Sequence, residues 1–228
     1  MACGGLLATV GCGQAPKSEP KKLETVVNEK ARDVVSPAKT AAEPVAVEPA
    51  PVQQVKFEEA INPATTGPAI VPPVLMTTRH KALCRVFVGD TLPEIELPKV
   101  LGGTAKLSAL YGKAATVVVF WKGNRQMALD ELADLGPDIV QQFGSRGVEV
   151  VAIAVGESAG DARSIVQKSA ANYPQLVDAD GKAFAKVGSV KLPRTFVLDA
   201  SGKIVYFDLE YSLATRRELQ QAVLAMTR

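Results

Sequence analysis

Two long apolar runs constrain the fold of this chain more than any other feature of its sequence. Residues 116–121 read Thr-Val-Val-Val-Phe-Trp, and residues 148–155 read Val-Glu-Val-Val-Ala-Ile-Ala-Val. Runs rich in β-branched residues with little polar alternation predict strands that are buried on both faces of a sheet. Between them, over residues 125–143, apolar residues recur at helical spacing, which predicts a helix that is kinked or divided at Pro137.

The chain after the second run continues with alternating helical and strand patterns. The predicted elements are a helix at 162–170, a strand at 176–178, a helix at 182–187, strands at 194–198 and 204–207, and a last helix reaching Met226. The two final strands flank a turn and predict a hairpin, and Ser212 or Thr215 is the expected N-cap of the last helix. With a short strand at 92–97, this order predicts an α/β domain with a mixed central sheet flanked by helices.

The N-terminal third of the chain has a composition that opposes folding. Residues 13–75 contain 10 of the 15 prolines and a single aromatic residue, Phe57. Such a stretch buries too little apolar surface to offset its conformational entropy. We therefore predict a Pro/Ala-rich disordered linker that is extended and semi-rigid, followed by a folded domain over residues 85–228.

The first residues resemble the end of a bacterial lipoprotein signal, in which a cysteine is lipidated. Residues 6–12 are a short apolar run that ends in Gly11 and Cys12, although no Lys or Arg precedes Lys17. We expect residues 1–12 to be a degenerate or truncated signal of this type. Lipid on Cys12 would place the protein in the bacterial cell envelope, facing the periplasm. A cleaved or defective signal and a cytoplasmic protein with an incidental apolar start are the alternatives.

Charge and ligand-forming residues exclude several classes of function. The whole chain has a formal net charge of +2, and residues 85–228 hold 17 Lys and Arg against 16 Asp and Glu, so no nucleic-acid partner is expected. No apolar run approaches the length that spans a bilayer. His80 is the only histidine, and no second metal-type residue lies at ligand spacing from it, so we expect neither a metal nor a cofactor.

Four stretches of the domain resemble thioredoxin-like proteins of the redoxin family, especially the membrane-anchored thiol–disulfide oxidoreductases of the TlpA and ResA type, which are related to AhpC/TSA. The stretches are residues 88–93 (Val-Gly-Asp-Thr-Leu-Pro), 107–113 (Leu-Ser-Ala-Leu-Tyr-Gly-Lys), 117–121, and 192–199 followed by 202–204. The resemblance covers about residues 85–228. It implies a thioredoxin fold in which Pro193 is the cis-proline beside the active site.

The resemblance also shows which chemistry is missing. With Phe120 and Trp121 aligned on the family motif, the two positions of its Cys-x-x-Cys pair fall on Arg125 and Ala128, and Glu131 matches the following helix. Disulfide exchange needs a thiolate at the helix start and a second thiol to resolve the mixed disulfide. Arginine and alanine can do neither, and a peroxiredoxin needs a cysteine in the same segment. Residues 85–228 contain no cysteine.

The same alignment predicts a candidate binding site around the former active site. The resemblance brings the Pro193 loop against the helix start, which would gather Lys122, Arg125 and Arg194 beside Asn124 and suit a small anion or an acidic peptide. The alternative interpretation is three solvated charges on loops. Trp121 could line a groove there, or pack in the core.

Cys84 is the one thiol close to the predicted domain. Its neighbours His80, Lys81 and Arg85 could lower its pKa and make it reactive, or the residue could be a small hydrophobe where the linker docks.

Three functions follow from these patterns, so enzymatic activity is left open. The leading interpretation is an envelope-anchored, redox-silent thioredoxin-fold protein that binds or positions an unknown protein or peptide partner. The second is a thiol–disulfide oxidoreductase or peroxidase-like antioxidant protein that uses the lone Cys84. The third is a purely structural spacer and cap.

Overall fold

A computed structural model describes residues 69–228, so the expectations for residues 1–12 and for most of the linker fall outside the described residues. The helices are α1 (Thr78–Lys81), α2 (Gln126–Leu135), α3 (Gln141–Phe143), α4 (Ala159–Lys168), α5 (Lys182–Val187) and α6 (Leu213–Met226). The strands are β1 (Glu96–Pro98), β2 (Thr104–Lys106), β3 (Ala115–Trp121), β4 (Val148–Val155), β5 (Gln175–Asp178), β6 (Arg194–Asp199) and β7 (Ile204–Asp208).

Five of these strands form one mixed sheet in the order β5-β4-β3-β6-β7. β3 pairs in parallel with β4, and β4 with β5, whereas β6 pairs antiparallel with both β3 and β7. β1 and β2 make a separate antiparallel hairpin. This mixed sheet with flanking helices confirms the predicted fold class, and the two apolar runs are its adjacent inner strands.

The central strand β3 is buried along its whole length. Its one polar side chain is Thr116, whose Oγ1 accepts a hydrogen bond from the Gly112 amide at 2.9 Å. All other β3 side chains are apolar, so the strand can lie between two hydrophobic cores. The Trp121 indole N–H is the one polar side-chain group of β3 that has no hydrogen-bond partner within the described residues.

Alternate residues of β3 face these two cores. Trp121 packs on the side of α2 and α6, whereas Phe120 packs on the side of α5, 5.6 Å from the ring centroid of Phe184. The α2 core includes Val117, Val119, Trp121, Ala128, Leu132, Leu219 and Val223, and the α5 core includes Val118, Phe120, Phe184, Val187, Phe196 and Phe207.

The helix between β3 and β4 is divided at Pro137, as predicted. A π-helical turn spans Gly136–Val140 and separates α2 from α3. Proline has no backbone N–H to donate to the preceding turn, which explains the division. No helix within residues 69–228 is both long and apolar enough to cross a bilayer.

Capping hydrogen bonds explain where two of the helices begin. α4 begins at Ala159, three residues before the predicted start, because the Ser158 hydroxyl accepts a hydrogen bond from the Asp161 amide at 3.1 Å. α6 has the predicted cap, since Ser212 and Thr215 satisfy each other's backbone amides in a capping box.

Residues before the predicted domain start also contact its interior. Val71 packs against the α2 core and Met76 against the α5 core. The Ser189 amide donates to the Leu83 carbonyl at 2.9 Å. The last part of the predicted linker therefore belongs to the packed structure of the domain.

Candidate functional site

The turn between β3 and α2 is the position where the resemblance places the two thiols. Arg125 is the N-cap of α2 in extended backbone geometry, and its side chain makes no capping hydrogen bond. Asn124 and Arg125 are exposed, whereas Ala128, one turn later, is completely buried. The Gly123 amide donates to Glu157 Oε1 at 2.9 Å, which fixes the turn against the end of β4.

Arg194 does not join this turn, so the predicted cluster of three basic residues is wrong. Its side chain is 1% exposed. Nη1 donates to the carbonyls of Leu83 and Val187 at 3.3 and 3.2 Å, and Nη2 donates to those of Leu83 and Ser189 at 3.2 and 3.3 Å. The guanidinium carbon also lies 5.3 Å from the ring centroid of Phe184, within cation–π distance.

The alternation of side chains along β6 explains this placement. Thr195 faces α2, where its hydroxyl donates to Glu131 Oε1 at 2.5 Å. Arg194 and Phe196 therefore point to the α5 core on the other side of the sheet. The alternative interpretation, a solvated loop charge, is also wrong for Arg194, because the residue begins β6 and is buried.

Trp121 and Pro193 are both buried. Trp121 is 0% exposed and belongs to the α2 core, so it packs there and its assignment to the binding site is wrong. The Leu192–Pro193 peptide bond is cis, as predicted. Of the six residues of the predicted binding site, Asn124 and Arg125 are exposed and Lys122 is half-buried, so these three alone can meet a partner directly.

Cys84 lies at a different place from the start of α2. It packs against the α5 core, and its backbone bridges Gly188 in the loop before Pro193. The thiol donates to the His80 carbonyl at 3.4 Å, and Sγ is 3.9 Å from Met76 Sδ.

The expectation that basic neighbours lower the pKa of this thiol is wrong. Partial burial raises the pKa of Cys84, and the nearby charge of Arg194 offsets this only in part. The Cys84 thiol is thus less ionised than an ordinary cysteine, which disfavours nucleophilic chemistry.

Glu131 is the titratable group that the sequence did not assign to the site. It lies on the inner face of α2, and burial raises its pKa to about 8, with smaller contributions from Asp208 and Asp134. Oε2 has no hydrogen-bond partner within the described residues. The spacing of Glu131 in the sequence could have indicated this position. Glu131 lies on the same helical stripe as Ala128 and Leu135, and side chains on that stripe face the core.

Further acidic and phenolic side chains lie on β7 and α6. The Tyr206 hydroxyl lies 3.2 Å from Asp208 Oδ2 and 3.0 Å from Glu218 Oε2. Burial raises the pKa of Asp208, and the Leu209 amide, which donates to Oδ1 at 2.6 Å, counteracts it. These side chains do not form a metal centre, since residues 69–228 contain no cluster of three or more potential metal ligands.

The fold and the position of the cis-proline define a class of protein, which solved structures confirm. A putative thiol:disulfide interchange protein DsbE from Chlorobium tepidum has a TM-score of 0.56 at 20% identity, covering 63% of this chain and 99% of that one. The peroxidoxin BcpB from Mycobacterium tuberculosis has a TM-score of 0.53 at 23% identity, covering 62% and 97%. The domain is a thioredoxin fold of the redoxin type.

Within that class, the chain belongs to the AhpC/TSA family, which it matches over residues 88–207. A curated relative, the thiol-disulfide oxidoreductase ResA of Bacillus subtilis, is 29% identical over 117 residues. That match covers 51% of this chain and 64% of ResA, so the similarity spans less than two thirds of the relative's length.

Proposed function

We propose that this protein is a redox-silent member of its family that binds or positions a protein or peptide partner. The main support is the start of α2, where the resemblance aligns the family's two cysteines with Arg125 and Ala128, together with the absence of cysteine from residues 85–228. The curated relative ResA is a thiol-disulfide oxidoreductase, and that activity needs a thiolate at a helix start and a resolving thiol. Neither residue can supply one.

Cys84 does not replace the missing pair in this proposal. It packs in the α5 core, whereas the start of α2 lies over the α2 core on the other side of the sheet. Partial burial raises the pKa of its thiol. An oxidoreductase or peroxidase that used Cys84 would therefore lack both the helix N-terminus and the ionised thiol that the chemistry requires.

The turn before α2 is the surface that we assign to the partner. Arg125 sits at the positive end of a helix, an arrangement that costs about 0.3–1 kcal/mol when the charge is exposed. A carboxylate of a partner would relieve this repulsion and would also meet the neighbouring Lys122 and the polar Asn124. We therefore infer an acidic peptide segment as the bound chemistry.

Envelope anchoring is a separate part of the proposal. It is supported by the small-residue approach to Cys12 and by the proline-rich linker that follows it. Mass spectrometry of the protein from its native membrane should find lipid on Cys12. An unmodified Cys12 within an intact, soluble N-terminus would contradict this part and leave the redox-silent assignment standing.

The redox-silent assignment is tested by assaying insulin reduction and peroxide consumption with the full chain and with Cys84→Ser. We expect both proteins to match the protein-free background. Activity in the parent that Cys84→Ser abolishes would instead establish the single-thiol oxidoreductase. Activity that survives Cys84→Ser would contradict both assignments.

A further inference from the structure

A cleft at the outer edge of the sheet is separate from the start of α2. Its volume is about 520 Å³, which lies within the roughly 300–1,000 Å³ typical of small-molecule sites. It opens between the β1–β2 turn, the end of α4 and the segment leading into β5. Its lining residues are Lys99, Val100, Leu101, Leu110, Arg163, Val166, Gln167, Ala171, Asn172, Tyr173, Pro174, Gln175 and Leu176.

The walls of the cleft are mostly apolar. Val100 and Leu176 are buried, whereas Leu101 at the edge is 81% exposed. An apolar surface that is open to water gains free energy when an apolar molecule covers it. The body of a fitting ligand is therefore a hydrocarbon.

The charges around the cleft have one sign. Lys99 and Arg163 line it, and the lining includes no Asp or Glu. Neither basic side chain forms an ion pair within the part of the chain that the structure describes. Two unneutralised cations beside an apolar cavity favour a ligand that carries a negative charge.

We propose that this cleft binds a small amphipathic carboxylate. The hydrocarbon part of the ligand lies against Val100, Leu101 and Leu176. Its carboxylate is attracted by Lys99 and Arg163, which line the same cleft and can donate hydrogen bonds to it. The proposal does not depend on whether the protein has thiol–disulfide activity, because none of these residues belongs to the turn before α2.

Calorimetric titration of the full chain with octanoate tests the proposal, with 1-octanol as the uncharged ligand of equal chain length. Octanoate should bind saturably and at least about tenfold more tightly than octanol, the size of effect expected for a charge-assisted hydrogen bond. Absence of saturable binding, or equal affinity for the alcohol, would overturn the proposal.

Variants localise the binding. Arg163→Gln should weaken octanoate several-fold, whereas Arg217→Gln, which removes an exposed arginine from α6, should leave it unchanged. Leu101→Glu places a like charge at the edge without disturbing the core and should abolish binding. Parent affinity in both Arg163→Gln and Leu101→Glu would place the ligand elsewhere and refute the assignment.

Discussion

At the scale of single residues, Gly188 and Arg194 depend on each other. A Cβ on Gly188 would collide with Nη1 of Arg194 and lie 2.7 Å from the Leu83 carbonyl oxygen. The absence of that atom leaves room for the guanidinium among three backbone carbonyls. A sequence resemblance to the family gave no indication of this arrangement, in which Arg194 joins the segment around Cys84 to the loop before Pro193.

We predict that Gly188→Ala destabilises the protein by roughly 1–3 kcal/mol, the range for overpacking a tight interior. The guanidinium would have to move away from carbonyls that then lose their donors. Urea denaturation measures the change. Gly144→Ala is the matched control, because its Cβ meets no atom within 4 Å. We expect the control to be unchanged or slightly more stable, and an equal loss in both variants would contradict the packing argument.

Glu131 makes stability depend on pH in a defined direction. Burial raises its folded-state pKa to about 8 from the ordinary 4.5 of a glutamate, so the folded protein holds this proton more tightly than the unfolded chain. The stabilising contribution is fully present below pH 4.5 and is lost as pH rises toward 8.

We predict that Glu131→Gln removes this dependence. The amide oxygen keeps the hydrogen bond from Thr195, and the side chain no longer ionises. Relative to the variant, the parent should lose on the order of 2–5 kcal/mol between pH 4.5 and pH 8. Denaturation curves of both proteins across this range provide the difference. Parallel pH profiles would show that Glu131 ionises normally.

At the scale of elements, β3 and α2 form the strand-to-helix turn on which the proposed loss of the two thiols rests. β3 leads into the turn, α2 begins at Gln126, and Ala128 lies one turn into the helix against the core. The helix macrodipole remains available to stabilise an anion at this turn. Under the proposed function, the missing chemistry is therefore a matter of side chains and not of the backbone.

We predict that the double variant Arg125→Cys with Ala128→Cys acquires disulfide exchange. The two new thiols lie one helical turn apart, and the first gains from the dipole that arginine opposes. The variant should form an internal disulfide under mild oxidation and reduce insulin faster than the parent.

The matched control for this variant is Gln126→Cys with Leu129→Cys, which has the same spacing but is displaced by one residue. We expect it to be less active, because its first thiol is no longer the N-cap. If the thiols at 125 and 128 stay unpaired, or if the displaced pair is equally active, the alignment of the motif with this turn is wrong.

At the scale of the whole molecule, the packed structure begins before the domain start that the sequence patterns indicated. Val71 and Met76 contact the two cores, and the Ser189 amide donates to the Leu83 carbonyl at 2.9 Å. An extended segment that is held at several points resists proteolysis better than a free linker of the same composition.

We predict that limited proteolysis of the full chain leaves a resistant fragment that begins near residue 69 and reaches the C-terminus. Mass spectrometry identifies its ends. A fragment that begins close to residue 85 would show that the preceding segment is held only weakly. Early cleavage scattered between residues 116 and 207 would contradict a single folded domain.

Local sequence was enough to predict the main strands and helices from β3 onward and to show that residues 85–228 contain no cysteine. Apolar runs rich in β-branched residues favour strands that are buried on both faces, and Pro137 cannot continue a regular helix. These are properties of local sequence and composition, which need no knowledge of distant residues.

Only the tertiary structure decided where the charged side chains lie. Arg194 follows Pro193 in the sequence, but the alternation of β6 directs it into the α5 core, whereas Thr195 faces Glu131. The pKa of Cys84 is set by burial and by Arg194 more than by its basic neighbours in sequence. The cleft at β5 joins residues from four separate segments, at 99–101, 110, 163–167 and 171–176. The burial of a side chain, the face of the sheet that it occupies and the charges around it depend on contacts between distant parts of the chain. Local sequence patterns do not contain these contacts.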